Sequence, residues 1–207
     1  MNLNLRYCSL RWRRLAHNGP IANDETPRKR DARHFFRNLP KQGFDLLLRA
    51  RDDVRKYYHM HNKSGMDWYT DYKCPNGDTK HVALHIRRGD VNENSGKRWL
   101  NDSMTLQCAD HVLNETKTAY SGCIQLHIMS EGKKEDFTAF EHLHPVYHLS
   151  QDALVTFHHM VIADILILSW STYAYAAGYI NGKKLYSADG SDKHNNMYFG
   201  FSSKCIL

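Results

Sequence analysis

The spacing of apolar positions changes several times along the chain, and each change marks a predicted helix or strand. In residues 42–61 apolar side chains recur every three or four positions, which predicts an amphipathic helix. Val82, Leu84 and Ile86 alternate with other residues, which predicts a buried strand. By the same criteria, further strands are predicted at 123–128, 145–149, 165–168 and 184–187, and further helices at 102–118, 133–143, 152–163 and 174–180.

Strands and helices alternate between residues 81 and 187, which predicts an α/β fold. Such alternation is typical of right-handed βαβ units, which form a parallel, Rossmann-like sheet with helices on both faces. We expect three regions: a partly disordered and helical N-terminal region (1–80) with a short helical turn near 32–37, a Rossmann-like domain (81–190) and a C-terminal tail (191–207). The tail is either a free end or a strand that docks on the sheet, and the sequence leaves both open.

The composition is that of a globular protein with one substantial core. Hydrophobic residues make up 42% of the 207 positions, and the formal net charge of +6 favours an anionic partner. The basic runs at 11–14 and 28–30 lack the interleaved aromatic residues of a nucleic-acid platform, so no nucleic-acid partner is predicted. The first 20 residues contain no apolar run long enough for a signal sequence or an anchor, so we expect no integral membrane segment.

The cysteines and the glycosylation sequons leave the compartment open. The five cysteines are odd in number and lack CxxC spacing, so neither a zinc knuckle nor a full disulfide framework is predicted. Asn62, Asn101 and Asn114 each begin an N-x-S/T sequon, which would suit a lumenal protein, although such short motifs also arise by chance. The localisation is therefore not determined by these residues.

A cationic loop follows the first predicted strand, in the stretch HVALHIRRGD. Arg87 and Arg88 precede Gly89, which permits a tight turn, and Asp90. In an open parallel sheet, ligands bind at the carboxyl ends of the strands, and a guanidinium group matches the paired oxygens of a phosphate. The loop is therefore a candidate phosphate site, and the alternative is a solvated, charged turn.

Two more loops follow predicted strands and are expected at the same edge of the sheet. One carries Ser130 and Glu131, and the other carries Ser169, Ser171 and Thr172 at the start of a helix. A helix N-terminus attracts anions because its N–H groups lack partners and its dipole is positive there. The alternative is that Ser171 or Thr172 only caps the helix. In combination with the two arginines, the pattern favours a diphosphate site.

Several histidines in the second half of the chain raise the alternative of a transition-metal site. They are His142, His144, His148, His158 and His159. Adjacent histidines on a helix point to different faces, so this set converges poorly on one ion. We therefore predict no metal site.

Three motifs together resemble the superfamily of α1,2-, α1,6- and protein O-fucosyltransferases. The HxRRGD string resembles its donor-binding loop, and HIMSEG followed by Asp136 and Phe137 resembles its intermediate motif. The stretch TFHHMVIADILILSWSTYAYAAGYIN resembles its pattern of a helix, an Ala-Asp pair, a hydrophobic strand and a Ser-rich turn before a helix that ends in Asn. The motifs occur in the family's order and cover roughly half of the chain.

The resemblance implies that residues 81–190 correspond to the C-terminal nucleotide-sugar domain of a GT-B glycosyltransferase. Residues 1–80, few and mostly polar, would then be a truncated acceptor lobe. The implied activity is an inverting transfer of fucose from GDP-fucose to a hydroxyl of a glycan or glycoprotein, without a metal or another cofactor. The alternative is a non-catalytic module that binds a GDP-sugar or a carbohydrate. The family's compartment, the Golgi or endoplasmic reticulum lumen, would apply if the N-terminus is incomplete.

The resemblance also implies roles for individual residues. Arg87 would stabilise the β-phosphate of the departing GDP, and Asp90 or Glu93 would be the catalytic base for the acceptor hydroxyl. The alternative for each carboxylate is a salt bridge to the neighbouring arginines. The residues expected to bind GDP-fucose are His85, Arg87, Arg88, Ser130, Glu131, Asp164, Ser169, Ser171, Thr172 and Tyr173.

Overall fold

The computed structural model describes residues 41–60, 69, 74–75, 77–188 and 202–205 of the chain. They belong to one compact unit, Lys41–Leu207. The helical turn expected near 32–37 and the two basic runs lie outside the described residues. Within the part that is described, no helix combines the length and the apolar character needed to cross a membrane.

Helices and strands alternate in the described part of the chain. Their bounds, in chain order, are α1 (Lys41–Met60), β1 (Thr79–His85), α2 (Asp102–Ala119), β2 (Cys123–Ser130), β3 (Val146–Leu149), α3 (Ala153–Ile162), β4 (Ile165–Leu168), α4 (Thr172–Asn181), β5 (Lys184–Ser187) and β6 (Ser202–Lys204). Two 3₁₀ segments, Glu93–Arg98 and Lys134–Leu143, lie in the connections after β1 and β2.

The strands form one sheet in the order β3-β2-β1-β4-β5-β6, and every neighbouring pair is parallel. This is the strand order of dinucleotide-binding Rossmann sheets, so the predicted Rossmann-like α/β fold is confirmed. The chain runs from β1 outward to β3 and then returns to place β4 on the other side of β1. The connections after β1 and β4 therefore diverge, which opens a crevice at their carboxyl ends. In the tail, Ser202–Lys204 docks on β5 as the sixth strand.

Both faces of the sheet are buried, and the two central strands divide their side chains between two apolar clusters. In β1, Val82 and Leu84 join the cluster that contains α2, whereas Ala83 joins the cluster that contains α3 and α4. In β4, Ile167 and Leu168 divide between the clusters in the same way. Side chains alternate between faces along a strand, so a strand covered on both sides is apolar at every position.

The segment 133–143, predicted to be an α-helix, is a 3₁₀ helix instead. Phe137 and Phe140 are both fully buried, and Leu143 packs against the same cluster. These three residues recur at three-residue steps, which is the period of a 3₁₀ helix, where side chains three positions apart lie above one another. The backbone also leaves helical geometry at Phe137, with φ −124°. Burial of both phenylalanines therefore overrides the α-helical propensity of the segment.

Four of the five cysteines form disulfides, which the sequence, in which no full disulfide framework was indicated, did not reveal. Cys74 pairs with Cys123, and Cys108 pairs with Cys205. The partners are separated by 49 and 97 residues, so no local spacing motif indicates them. The first bond connects the chain before β1 to the start of β2, and the second connects α2 to the residue after β6. The fifth cysteine, Cys8, lies outside the described residues.

Asn181, the last residue of α4, holds the connection between α3 and β4. Its Nδ2 group lies 2.8–2.9 Å from the carbonyl oxygens of Met160, Val161 and Ala163 and donates to them. Its Oδ1 atom accepts the N–H of Lys183 at 2.8 Å. The side chain is buried, so it satisfies carbonyl groups that water does not reach.

Replacing Asn181 by Leu is expected to lower the free energy of unfolding by about 2–4 kcal/mol, because it leaves buried carbonyls without donors. Urea titration followed by circular dichroism measures the loss. Asn114→Leu is the matched control, since Asn114 is exposed on α2 and its change is expected within about 0.5 kcal/mol. Equal losses in the two variants would contradict the role of Asn181.

A row of histidines crosses the sheet on the face covered by α3. Nδ1 of His81 lies 3.0 Å from Nε2 of His127, and Nδ1 of His127 lies 3.0 Å from Nε2 of His148. The ring of Tyr69 stacks on His81, with 4.3 Å between centroids, and its hydroxyl donates to the carbonyl of His159. Burial lowers the pKa of His127 to about 2 and that of His148 to about 4. His127 and His148 are therefore neutral in the folded protein at neutral pH.

Because the folded-state pKa values of His127 and His148 lie below the unfolded value near 6.5, the unfolded chain binds more protons in acid. The stability that the neutral His127 and His148 contribute is fully present above about pH 6.5 and is lost as pH falls toward about 4. Urea titrations between these pH values should show the loss. His148→Gln should flatten the pH dependence, whereas His142→Gln, at an exposed position, should leave it unchanged. A slope unaffected by His148→Gln would contradict this account.

Candidate functional site

A cavity of about 320 Å³ lies at the carboxyl ends of the strands, in the crevice where the connections after β1 and β4 diverge. It is lined by His85, Ile86, Arg87, Arg88, Asp90, Met129, Ser130, Glu131, Ser150, Gln151, Ala153, Thr156, Ser171, Thr172 and Tyr173. The loops after three successive strands and the first turn of α4 thus meet at one place. The topology brings together lining residues up to 88 positions apart in the chain, from His85 to Tyr173, in agreement with the expected clustering of these loops at one sheet edge.

Arg87 spans the crevice between the loop after β1 and the loop after β4. Its Nε atom donates to Oδ1 of Asp90 at 2.9 Å, and Nη2 donates to Oδ2 of the same carboxylate at 2.5 Å. Its Nη1 atom donates to the carbonyl of Trp170 at 3.3 Å. The hydrogen bond to Asp90 raises the pKa of Arg87, and that to Arg87 lowers the pKa of Asp90. Both groups are therefore charged at neutral pH.

Arg88 has a different environment from its neighbour, although it also lines the cavity. Its side chain is 10% exposed, forms an ion pair with Asp102 and lies over the ring of Trp99, 3.8 Å from the centroid. Its Nη1 atom donates to the carbonyl of Arg87 at 2.9 Å. These contacts fix the loop after β1 to the start of α2. Arg88 therefore braces the loop that presents Arg87.

His85, the last residue of β1, connects the two strands that border the crevice. Its Nδ1 atom lies 2.6 Å from Oγ of Ser169, which follows β4. Burial, reinforced by the charge of Arg87, lowers the pKa of His85 to about 4. The imidazole is therefore neutral at neutral pH, and its bond to Ser169 joins the ends of β1 and β4 beneath Arg87.

Glu131 contributes a second carboxylate near Arg87, from the loop after β2. Its carboxylate packs so closely against Gly89 that a Cβ atom built at Gly89 would lie 1.8 Å from Oε2. Gly89 also has φ +78°, a conformation that side chains disfavour. The sequence Arg87-Arg88-Gly89 thus needs its glycine for the turn, and Glu131 packs against it.

The N-terminus of α4 forms the wall of the cavity opposite the arginines. Ser171 is the N-cap residue, yet its side chain makes no capping hydrogen bond, so the interpretation that it only caps the helix is wrong for Ser171. Thr172 is exposed at the first helical position, and Tyr173 donates its hydroxyl to the carbonyl of Ala153. The first-turn N–H groups of a helix have no intrahelical partners, so this wall favours an anion.

Three of the expected site residues do not line the cavity. Asp164 precedes β4 and therefore lies at the amino edge of the sheet, where Oδ2 accepts the N–H of His81 at 3.0 Å and Lys183 lies 3.4 Å from Oδ1. The expectation that Asp164 lines the nucleotide side is corrected by this placement. Glu93 begins the 3₁₀ segment after β1, is exposed, and is not among the lining residues. Ser169 lies behind the lining, where it contacts His85.

The sequence reasoning missed the contribution of the loop after β3. Ser150, Gln151, Ala153 and Thr156 line the cavity, and Ser150 adopts a left-handed conformation with φ +52°. The N–H of Ser150 donates to the carbonyl of Ser130, which fixes this loop beside the loop after β2. The predicted strand at 145–149 was the available signal, because every parallel strand places its following loop at the same edge.

Comparison with known proteins finds no matching family model, no matching curated protein and no matching solved structure. Among the residues with described positions, no group of three or more His, Cys, Asp or Glu side chains is arranged to hold a metal ion. The candidate site is therefore defined by its own geometry: a crevice with one bridging arginine, two carboxylates and a helix N-terminus.

Two serines of the loop after β4 should respond differently to the same substitution. Ser169→Ala is expected to lower the free energy of unfolding by about 1–3 kcal/mol, because it removes the partner of buried His85. Ser171→Ala should change it by less than about 0.5 kcal/mol, since no capping bond is lost. Urea titration measures both values. A loss in Ser171→Ala as large as that in Ser169→Ala would contradict the assignment.

Proposed function

We propose that the crevice binds the diphosphate of GDP-fucose and that the protein is an inverting fucosyltransferase whose acceptor is a hydroxyl of a glycan or glycoprotein. The position of Arg87 carries the proposal, because it lies at the carboxyl ends of β1 and β4, where open parallel sheets bind nucleotides. The choice of guanosine and fucose comes from the resemblance of the HxRRGD, HIMSEG and Ser-rich motifs to fucosyltransferases.

The charges around the cavity suit a diphosphate. The guanidinium of Arg87 matches paired phosphate oxygens, and the N-terminus of α4 adds unpaired N–H donors and a positive dipole on the facing wall. Arg88, though occupied with Asp102, adds a second cation beside the first. In the proposed reaction Arg87 and the N-terminus of α4, rather than a metal ion, contact the diphosphate.

Arg87 supplies the main stabilisation in the proposed mechanism. The acceptor oxygen attacks C1 of fucose from one face while the bond from C1 to the β-phosphate oxygen breaks on the other. The bonding electrons go to the β-phosphate, so negative charge grows there in the transition state. The interaction of a guanidinium with that oxygen is stronger in the transition state than in the ground state, and this difference accelerates the reaction.

The acceptor hydroxyl must lose its proton to a base. Of the two carboxylates expected from the sequence, Asp90 lines the cavity and Glu93 does not, so we assign the base to Asp90. The pKa of Asp90 is lowered by its hydrogen bond to Arg87, so the carboxylate is ionised at neutral pH and can accept a proton from the acceptor once that bond is released.

The described unit corresponds in this proposal to the nucleotide-sugar domain of a GT-B enzyme, and an acceptor lobe would complete the active site. The two disulfides support a lumenal location, because disulfides persist in oxidising compartments such as the endoplasmic reticulum. The acceptor itself is left open by the residues of the crevice.

GDP and GDP-fucose are expected to raise the melting temperature of the protein, whereas UDP and UDP-glucose should not. A ligand at one hundred times its dissociation constant adds about 2.7 kcal/mol of stability to the folded state. Arg87→Ala should abolish this shift and lower the rate of fucose release from GDP-fucose by about 100-fold or more. Arg49→Ala, at an exposed position on α1, is the matched control and should retain both.

An unchanged rate in Arg87→Ala would remove the catalytic assignment. Binding of GDP-fucose without transfer or hydrolysis would instead favour the non-catalytic module that binds a GDP-sugar. Absence of a melting shift with every nucleotide tested would contradict both functions.

A further inference from the structure

The guanidinium of Arg87 has a carboxylate partner within its own loop. Asp90 receives two roughly parallel bonds, at 2.9 Å from Nε and at 2.5 Å from Nη2. This is the bidentate arrangement in which guanidinium groups bind phosphate as well as carboxylate. The edge of Arg87 that suits a diphosphate is therefore the edge that Asp90 covers.

The two partners of this ion pair differ in how firmly they are held. Arg87 also donates to the carbonyl of Trp170 across the crevice, and its side chain is 24% exposed. Asp90 is 58% exposed and follows Gly89 at the tip of the loop, where φ is +78°. Asp90 can therefore rotate into solvent while Arg87 keeps its contact with Trp170.

We propose that Asp90 is an internal substitute for the ligand's phosphate: its carboxylate holds Arg87 before the donor binds and is exchanged for the diphosphate when the donor binds. The proposal rests on the proposed function and deepens it, because it makes Asp90 a positioning residue before binding and a free carboxylate afterwards.

The exchange makes Asp90 available as the catalytic base when the donor binds. While Asp90 is bonded to Arg87, its oxygens point at the guanidinium and are not available to an acceptor hydroxyl. The other charged groups near this pair are Glu131, close to Arg87, and Arg98, close to Asp90. Once the diphosphate occupies Arg87, the like charge of the phosphate disfavours the return of Asp90.

Pyrophosphate is the probe that isolates the exchange, because it contains the diphosphate without a nucleobase or a sugar. Asp90→Asn should bind pyrophosphate about two- to five-fold more tightly than the unmodified protein by isothermal titration calorimetry, since an exposed ion pair no longer competes. Glu131→Gln removes the same charge near Arg87 without breaking a bond to the guanidinium, so its gain in pyrophosphate affinity should be smaller. Thermal melting verifies that both variants are folded.

Equal or weaker pyrophosphate binding by Asp90→Asn would overturn the exchange. An equal gain in pyrophosphate affinity in Glu131→Gln would also overturn it, because it would indicate a charge effect alone. With GDP-fucose, Asp90→Asn should show a lower KM together with a lower kcat, and Asp90→Glu should recover part of the kcat. A tighter pyrophosphate complex combined with no preference for GDP over UDP would retain the exchange and overturn the proposed function. If GDP bound tightly and Asp90→Asn left its affinity unchanged, the proposed function would be retained and the exchange would be overturned.

Discussion

The parallel pairing of β1 with β4 is the constraint on which the rest of the structure depends. These strands are 83 residues apart at the register pair Val82 and Ile165, yet they lie side by side at the centre of the sheet. Their following connections diverge, so the ends of the two strands meet at the edge of the sheet. His85 and Ser169 join those ends by a hydrogen bond, and Arg87 reaches Trp170 directly above. The candidate site is therefore a result of strand order.

Two adjacent arginines acquire different roles from this geometry. Arg88 is buried against Trp99 and Asp102, and these contacts hold the loop to α2. Arg87 projects along the crevice and is paired with a mobile, exposed carboxylate. The loop is thus held rigidly by Arg88, while Arg87 remains accessible. Recognition of a diphosphate requires this combination of a rigid loop and an accessible charge.

The sequence predicted the elements whose signal is local and missed those that depend on distant partners. The strands at Ile165–Leu168 and Lys184–Ser187 have their predicted bounds, because apolar runs flanked by turn residues are readable alone. The disulfide from Cys108 to Cys205 joins residues that approach only when β6 docks. Asp164 was expected in the site from a motif, but it precedes its strand and lies at the wrong edge. Likewise, no pattern in RRGD distinguishes the bracing arginine from the bridging one.

The most direct test of the central claim is a crystal structure of the protein with GDP. The account predicts diphosphate oxygens within about 3 Å of Nε and Nη2 of Arg87, near the N-terminus of α4, with the carboxylate of Asp90 turned away from the guanidinium. A structure in which GDP binds elsewhere, or in which Asp90 still covers Arg87 and no phosphate contacts that side chain, would contradict it.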